Sequence, residues 1–388
     1  MKKILILGGG FAGVQAAIEL QKKKIFDVTL VSNRDYLYLF PISIWIPTHK
    51  KQFDDVKVQL VDIQKVHKFN VIIDAVQQIN SKQNEVVLQN QKLTYDYLIV
   101  ALGASKVKHQ GIENTVSICG EPESAIAIRE KLDKLIAKGS GKITMGFGGN
   151  PKDKSAVRGG PAFELMFNVH NYLKSKNIRN NFELTFFAPM EQPGAKMGES
   201  ALKMMDKMFD KLKIAKHFGK KITNFQADGI EFEDGSKLAS DLIMFIAAGS
   251  GHSVFQNSDL PLSEAGFIKI DDNCLVHETQ NVYAIGDAAS LEGPDWAAKQ
   301  GHIAEMMARN TVFNIYNSEI GNAERKGYQA HLNIICVMDM GNGAAFVFRN
   351  KKRAFLIPMP IFGHWLKLAW GKYATWTKLG KFPRIPGM

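Results

Sequence analysis

Three glycines near the start of the chain have the spacing of a phosphate-binding turn. Gly8, Gly10 and Gly13 follow an apolar run at 4–7 and precede residues 14–20, which have helical periodicity. The first glycine of such a pattern allows a tight turn, the second lets the backbone approach a pyrophosphate, and the third lets helix and strand pack closely. The phosphates then lie against the free N–H groups at the start of the helix. The sequence therefore predicts a dinucleotide site here.

A second stretch, 281–289, supplies a carboxylate that the same dinucleotide can use. It is an apolar strand that ends in Gly286-Asp287 before a predicted helix. A carboxylate at that place can accept a hydrogen bond from a ribityl hydroxyl. Together with the N-terminal glycine turn, it indicates FAD. The FAD domain is therefore predicted to be discontinuous, with a second domain inserted.

The segment after the second predicted strand, 27–31, bears on which dinucleotide binds. An acidic residue is expected about 20 residues after the glycines, where it holds a ribose hydroxyl. This chain has Ser32 and Asn33 instead, and both can still hydrogen-bond a ribose. Arg34 is either a contact to a ribose 2′-phosphate or a solvated loop residue. The aromatic segment 36–47, which contains Pro41, is either a buried loop or a wall of the flavin or electron-acceptor pocket.

The elements around these residues indicate an α/β fold with two Rossmann-like dinucleotide-binding domains. The strand at 142–147 opens the second domain, but no second glycine motif follows it. A long polar loop leads instead to a helix that begins near Pro161. The second domain therefore lacks the usual nicotinamide cradle. We predict an FAD domain at 1–105 and 240–320, including a strand at 241–249, a second domain at 106–239, and a C-terminal quinone and membrane-interface region at 321–388.

Composition narrows the class of partner. The 388 residues carry a net charge of +11, with a pI near 9.3, which indicates an anionic partner. Nucleic acid is not expected, because no RNA-binding or zinc-finger signature is present; anionic lipid or small anions fit better. The three cysteines are too few and scattered for a disulfide scaffold or a Cys-x-x-Cys zinc site, and no histidine spacing implies a metal. No signal peptide is expected before the first strand, and no apolar run reaches the roughly 18 residues of a spanning helix.

The C-terminal segment predicts an amphipathic, membrane-binding helix at 361–379. Its aromatic face would carry Phe362, Trp365, Leu366, Ala369, Trp370, Tyr373 and Trp376. Lys367 and Lys378 are expected on the opposite face, and Lys372 at the margin. Aromatic residues on one side and lysines on the other are typical of a helix lying in the headgroup plane. The alternative is a helix that packs in a dimer or in the core.

Several segments resemble the two-dinucleotide-domain flavoproteins, and most of all the sulfide:quinone oxidoreductases, relatives of flavocytochrome c sulfide dehydrogenase and type II NADH dehydrogenases. The resemblance extends over nearly the whole chain. The segments that carry it are 28–32 with Leu-Phe-Pro at 39–41 and Trp45, Lys-Gln-Gly-His-Ile-Ala-Glu at 299–305, Cys-Val-Met-Asp-Met-Gly at 336–341, and Cys-Gly-Glu-Pro-Glu-Ser-Ala at 119–125. The resemblance implies that Lys299 lies near the flavin pyrimidine edge, that Cys336 is the flavin-adjacent redox cysteine, and that Cys119 is a second family cysteine, which bonds to the flavin methyl in some members.

One departure from the family pattern concerns the partner redox cysteine. The segment 156–164 resembles the one that carries it, but Arg158 stands in place of the thiol. The disulfide-plus-flavin relay of the family therefore cannot operate unchanged. We hypothesise that Arg158 faces the flavin near Cys336, holds it as a thiolate and attracts an anionic sulfur donor. The alternative is a solvated arginine and a buried, inert cysteine. Glu164 is either an acid/base group near the flavin or a solvated helix residue.

Taken together, the sequence predicts a peripheral membrane FAD enzyme that passes electrons from sulfide or a related reduced sulfur donor to quinone. The rivals are a type II NADH:quinone oxidoreductase and a flavoprotein without turnover that acts as a sensor or electron-transfer partner. A homo-oligomer stays open, and Phe346, Phe355 and Ile357 are candidate linings of a quinone pocket. The predicted catalytic residues are Cys336, Cys119, Arg158, Glu164 and Lys299. The predicted cofactor contacts are Gly8, Gly10, Phe11, Ala12, Gly13, Ser32, Asn33, Arg34, Pro41, Val76, Ala101, Gly103, Gly286, Asp287 and Lys299.

Overall fold

The fold is organised around a five-stranded parallel sheet, which we call the first sheet. We describe it from a computed structural model that covers residues 1–385. Its central strands are apolar runs buried on both faces, as expected when helices cover a parallel sheet. In spatial order the strands are Val282–Ala284, Tyr97–Val100, Lys2–Leu7, Phe26–Ser32 and Asn70–Ile73. The α/β prediction is confirmed, and the first sheet combines strands from both ends of the chain.

The second sheet has four parallel strands, and it corrects one predicted boundary. Its strands are Ile214–Phe218, Phe182–Ala188, Gly141–Phe147 and Leu242–Ile246. We predicted that the strand at 241–249 returns to the first domain, but Leu242–Ile246 pairs in parallel with Gly141–Phe147. The run is apolar and buried on both faces, so it fits either sheet equally well, and its pattern alone does not indicate the partner strand.

Antiparallel elements fill the connections. In the segment 71–93, apolar and polar residues alternate around turn signals, which predicts a small antiparallel excursion. The structure has a strand of the first sheet, Asn70–Ile73, and then the antiparallel sheet Val76–Asn80, Glu85–Leu88 and Lys92–Thr94. A second three-stranded sheet comprises Ile222–Gln226, Gly229–Phe232 and Lys237–Ala239. The C-terminal sheet comprises Ile334–Asp339, Ala344–Arg349 and Ala354–Met359. Three short pairs join Tyr36–Tyr38 with Lys57–Gln59, Ser105–Lys106 with Gly249–Ser250, and Ile268–Lys269 with Ala289–Ser290.

Helices cover the two parallel sheets. The first helix packs closely against Gly301–Glu319 on the first sheet. The α-helices are Phe11–Gln21, Phe40–Ser43, Leu60–His67, Ser124–Lys138, Gly160–Ser175, Glu199–Lys211, Ser253–Gln256, Gly301–Glu319 and Phe362–Lys378. Within residues 1–385, none of the helices is both long enough and apolar enough to pass through a bilayer.

The last helix, Phe362–Lys378, which we call the C-terminal helix, forms where it was predicted but is oriented differently. Phe362, Trp365 and Trp376 are exposed, as an aromatic outer face requires. Lys367 and Lys378, however, are buried instead of solvated. Each finds a carboxylate inside the protein, Glu164 for Lys367 and Glu305 for Lys378. The prediction of an outward lysine face was therefore wrong, because it considered the periodicity of the helix without the acids that face it.

Candidate active site

The glycine turn has the geometry that its spacing predicts. Gly8 has a φ of +112°, and a Cβ there would lie 2.2 Å from the carbonyl oxygen of Ala101. A Cβ at Gly13 would lie 1.9 Å from the carbonyl oxygen of Gly8, so only glycine permits this approach of helix to strand. A Cβ at Gly10 would have no neighbouring atom within 4 Å among the described residues, so the chain is open on this side. The first turn of helix Phe11–Gln21 adjoins this open side, and its free N–H groups fit a pyrophosphate.

One large cavity, of about 2310 Å³, extends from the glycine turn to the C-terminal helix. It brings together nearly all of the predicted site residues, from both parallel sheets and from the C-terminal sheet. Gly13 supports the turn from behind. The predicted residues that line the cavity are Gly8, Gly10, Phe11, Ala12, Ser32, Asn33, Arg34, Pro41, Val76, Ala101, Gly103, Cys119, Arg158, Glu164, Gly286, Asp287, Lys299 and Cys336. The glycine turn, Asp287 and the size of the cavity fit FAD, whose isoalloxazine ring would exchange two electrons when bound.

The ribose side of the cavity is formed by the loop after strand Phe26–Ser32. The Ser32 hydroxyl is turned onto its own loop, where it donates to the carbonyl oxygen of Arg34 at 2.6 Å. The Arg34 guanidinium lies 3.6 Å from a carboxylate oxygen of Glu121. This pairing leaves open both the 2′-phosphate contact and the solvated loop residue. The aromatic segment 36–47 is partly core and partly wall, since Trp45 is fully buried whereas Pro41 lines the cavity.

Lys299 is buried directly behind the Gly286-Asp287 turn. Its ammonium donates to the backbone carbonyl oxygen of Asp287 at 3.1 Å and to that of Ala289. The same nitrogen lies 3.3 Å from the centroid of the Phe267 ring. Burial lowers the pKa of Lys299 to about 7, because removing an ammonium from water disfavours its charged form. The predicted position of Lys299 beside the flavin stays a prediction.

A cluster of Cys336, Glu164 and Lys367 lies where the second-domain helix meets the C-terminal sheet and helix. The Cys336 thiol donates to Glu164 Oε1 at 3.7 Å. Lys367 Nζ donates to Glu164 Oε2, and both side chains are less than a tenth exposed. Burial raises the pKa of Glu164 to about 7, against the opposing effect of Lys367. The carboxyl group can therefore exchange a proton near neutral pH.

The thiolate hypothesis for Cys336 is wrong in this arrangement. Burial, followed by the nearby charge of Glu164, raises the pKa of Cys336 to about 12. Arg158 does not act on this thiol, because its guanidinium pairs with Asp287 at the Gly286-Asp287 turn, which we call the FAD side of the cavity. The arginine was assigned to Cys336 from the family position of the missing cysteine, and that position does not reveal the competing carboxylate.

The third cysteine and the candidate quinone-pocket residues lie in different surroundings. Cys274, whose position in the sequence predicts a structural role, is fully buried, and burial raises the pKa of its thiol. Phe346 lines the cavity. Phe355 and Ile357 instead lie on the outer strand Ala354–Met359, 36% and 50% exposed, so the structure does not support them as pocket linings.

Sequence reasoning did not assign Glu305 or Asp153 to the site, and it placed Lys367 on an outward face of the C-terminal helix. Lys367 and Glu305 line the cavity, and Asp153 faces Lys299 at 3.9 Å. The helical spacing of Lys367 and Lys378, 11 residues apart, places both on one face and could have indicated a shared inward role. No comparable signal marks Asp153, which lies in an irregular polar loop.

The comparisons with known proteins agree with this geometry. Residues 2–308 match the family model described as pyridine nucleotide-disulphide oxidoreductase. The chain is 26% identical to the sulfide-quinone reductase of Aquifex aeolicus strain VF5, over 97% of this chain and 90% of that protein. The crystal structure of the sulfide:quinone oxidoreductase from Aquifex aeolicus superposes with a TM-score of 0.88 at 23% identity, covering 98% of this chain and 92% of that one.

A solved relative of another kind is NDH2 from Plasmodium falciparum in complex with NADH. It superposes with a TM-score of 0.77 at 14% identity, covering 98% of both chains, which shows a shared fold. The predicted resemblance to sulfide:quinone oxidoreductases and the predicted FAD cofactor are confirmed. The chain belongs to the pyridine nucleotide-disulphide oxidoreductase family, and it is a flavoprotein oxidoreductase whose cofactor is FAD.

Proposed function

We propose that this flavoprotein passes two electrons from sulfide, or a related reduced sulfur donor, to quinone at a membrane surface. The observation that carries the proposal is the cluster of Cys336, Glu164 and Lys367 in the cavity that begins at the glycine turn. It joins a sulfur nucleophile, a group that titrates near neutral pH and the inward face of the C-terminal helix.

Cys336 would be the sulfur acceptor of the donor half-reaction. Its thiol is neutral, so it needs a base, and the ionised Glu164 carboxylate accepts its hydrogen bond. Bond formation between Cys336 Sγ and hydrosulfide gives a cysteine persulfide. FAD, when bound, would take up the two electrons, while the Cys336 proton goes to Glu164 and hydrosulfide keeps its own proton on the outer sulfur. A further hydrosulfide from solution would then remove the outer sulfur as HSS⁻ and leave Cys336 as the thiol again. Charge and atoms balance without the missing partner cysteine.

Glu164 would then return its proton as quinone is reduced. Quinone takes up two electrons and two protons, and a carboxyl group with a pKa of about 7 supplies one of them at neutral pH. Lys367 holds this carboxyl group from the C-terminal helix. The second proton would come from solvent through the cavity.

The C-terminal helix would bring quinone from a lipid surface. Trp370, Tyr373 and Trp376 line the cavity from this helix, and Trp365 and Trp376 are 66% and 47% exposed. Tryptophan and tyrosine favour the interfacial depth of a bilayer, and the net charge of +11 favours anionic headgroups. This supports peripheral attachment, with quinone entering between the helix and the cavity.

The test is anaerobic mixing of the purified holoprotein with sulfide, followed at the flavin absorbance. We expect the absorbance to bleach with sulfide and to recover on addition of a soluble quinone analogue. Fast bleaching by NADH without bleaching by sulfide would replace the proposal with the type II NADH:quinone oxidoreductase. No bleaching with sulfide, a persulfide or NADH would favour the flavoprotein without turnover.

A further inference from the structure

The polar loop 148–159 is attached to the FAD side of the cavity by two ion pairs of opposite polarity. At its middle, Asp153 Oδ2 lies 3.9 Å from Lys299 Nζ. At its end, the Arg158 guanidinium pairs with Asp287. In these two pairs the loop supplies an anion and a cation, and each meets a group of opposite charge on the segment 287–299. A backbone hydrogen bond from Lys299 N to Ser155 O, 3.1 Å long, fixes the register between the pairs.

The Asp153 carboxylate is held so that one oxygen can act on Lys299. Its Oδ1 accepts hydrogen bonds from the Ser155 backbone N–H at 2.8 Å and the Ser155 hydroxyl at 2.6 Å. Its Oδ2 is buried and has no hydrogen-bond partner among the described residues. Because a buried carboxylate oxygen without a partner is costly, its charge must be compensated by a nearby cation. The ion-pair partner within 4 Å is Lys299, and the charge of Asp153 also acts on Lys196.

Among the described residues, Asp153 is the one carboxylate that forms an ion pair with Lys299. The Lys299 side chain is 2% exposed, and its two hydrogen bonds go to neutral backbone carbonyls. Two charged groups act on it, and they oppose each other: Asp153 favours the ammonium, and Arg158 disfavours it. The charge that Lys299 presents therefore depends on the balance between two residues of one loop.

We propose that Asp153 and Arg158 are positioning residues that set the charge of Lys299 and the orientation of Asp287 toward FAD. The inference deepens the proposed function but depends on it only through FAD binding, so a different donor or acceptor would leave it standing. The loop 148–159, which lacks a nicotinamide motif, would act as an electrostatic clamp: its two ion pairs hold the segment 287–299 beside the FAD site. Arg158, at the position of the missing cysteine, then acts through Asp287 and Lys299.

The direct test measures the pKa of Lys299 in the holoprotein. The ¹³Cε chemical shift of Lys299, followed across pH by NMR in protein labelled at lysine and assigned by its loss in Lys299→Met, should give an inflection near 7 for the wild type. Asp153→Asn should lower it by about one unit or more, since an opposite charge at this distance has that effect. Arg158→Gln should raise it. Asp295→Asn is the matched control, because Asp295 pairs with Lys154 of the same loop and is 85% exposed.

A second readout follows the cofactor. A fall of about one pKa unit reduces the charged fraction of Lys299 at pH 7 from about a half to about a tenth. The midpoint potential of bound FAD in Asp153→Asn should therefore fall at pH 7, and its pH dependence should move to lower pH. Asp153→Glu should restore both. An unchanged Lys299 inflection in Asp153→Asn, or an equal shift in Asp295→Asn, would overturn the proposal. If Asp153→Asn fails to fold, the upward shift in Arg158→Gln decides, and its absence counts against the clamp.

Discussion

Replacing Lys367 by methionine should separate the two half-reactions by their pH dependence. Lys367 donates to Glu164 in a site where both side chains are less than a tenth exposed, and its charge lowers the pKa of a carboxyl group that burial raises to about 7. Removing an opposite charge from such a contact raises a carboxyl pKa by roughly 1–3 units. Each unit corresponds to about 1.4 kcal/mol. In the variant the Glu164 pKa should therefore be about 8 or higher.

The size of the kinetic effects follows from the ionised fraction of Glu164. At pH 7 that fraction falls from about a half to about a tenth or less when the pKa rises by one unit. Sulfide-driven flavin reduction, which needs the carboxylate to accept the Cys336 proton, should slow about fivefold or more at pH 7. Quinone-driven flavin oxidation, which needs the protonated form, should speed up by less than about twofold, and its fall at alkaline pH should move upward by about one unit.

Anaerobic stopped-flow measurement of each half-reaction between pH 5.5 and pH 9 gives both midpoints. Lys372→Met is the matched control, because Lys372 lies on the same helix and is exposed. Its profiles should coincide with those of the wild type. The reasoning is refuted if both midpoints stay near pH 7 in Lys367→Met, or if Lys372→Met moves them equally.

Three further outcomes are expected. Cys336→Ala should keep its FAD absorbance, but its sulfide-driven flavin reduction should slow by at least about a hundredfold. Cys274→Ala should reduce its flavin at the wild-type rate, and equal rates in the two variants would show that Cys336 takes no part in the reaction. Gly13→Ala should lower the melting temperature of the FAD-free protein, since its Cβ would meet the Gly8 carbonyl oxygen at 1.9 Å. Gly10→Ala, whose Cβ would face open space, should weaken FAD binding and leave that melting temperature unchanged. A lower melting temperature in Gly10→Ala than in Gly13→Ala would contradict the turn geometry. Trp365→Ser should weaken co-sedimentation with anionic vesicles by about tenfold; Ile73→Ser, which removes a side chain 50% exposed elsewhere, serves as the control, and equal losses would argue against a lipid-facing helix.

The sequence predicted the parts of this molecule that local pattern determines. The glycine spacing, the strand before Gly286-Asp287 and the interruption before Pro161 each follow from steric or hydrogen-bonding demands within a few residues. The partner of strand Leu242–Ile246 could not be predicted in this way, because a run buried on both faces satisfies any parallel sheet. The sequence predicted two of the three residues in the cluster around Glu164. Glu164 and Cys336 were candidates, but Lys367, about two hundred residues away in sequence, was taken for a solvated lysine.

Three buried lysines form ion pairs around the cavity, and these pairs bear on how electrons and protons enter it. Lys299, Lys367 and Lys378 each meet a carboxylate from a distant part of the chain, namely Asp153, Glu164 and Glu305. Buried ion pairs of this kind are a poor source of stability, because desolvation offsets most of the attraction. Their placement around one cavity is better explained by a reaction that brings negative charge and protons into the site. Lys378 and Lys367 lie on the helix that also carries the exposed Phe362, Trp365 and Trp376, so withdrawal of that helix would expose both carboxylates to water. Attachment of the C-terminal helix and the charge state of Glu164 are therefore expected to be coupled.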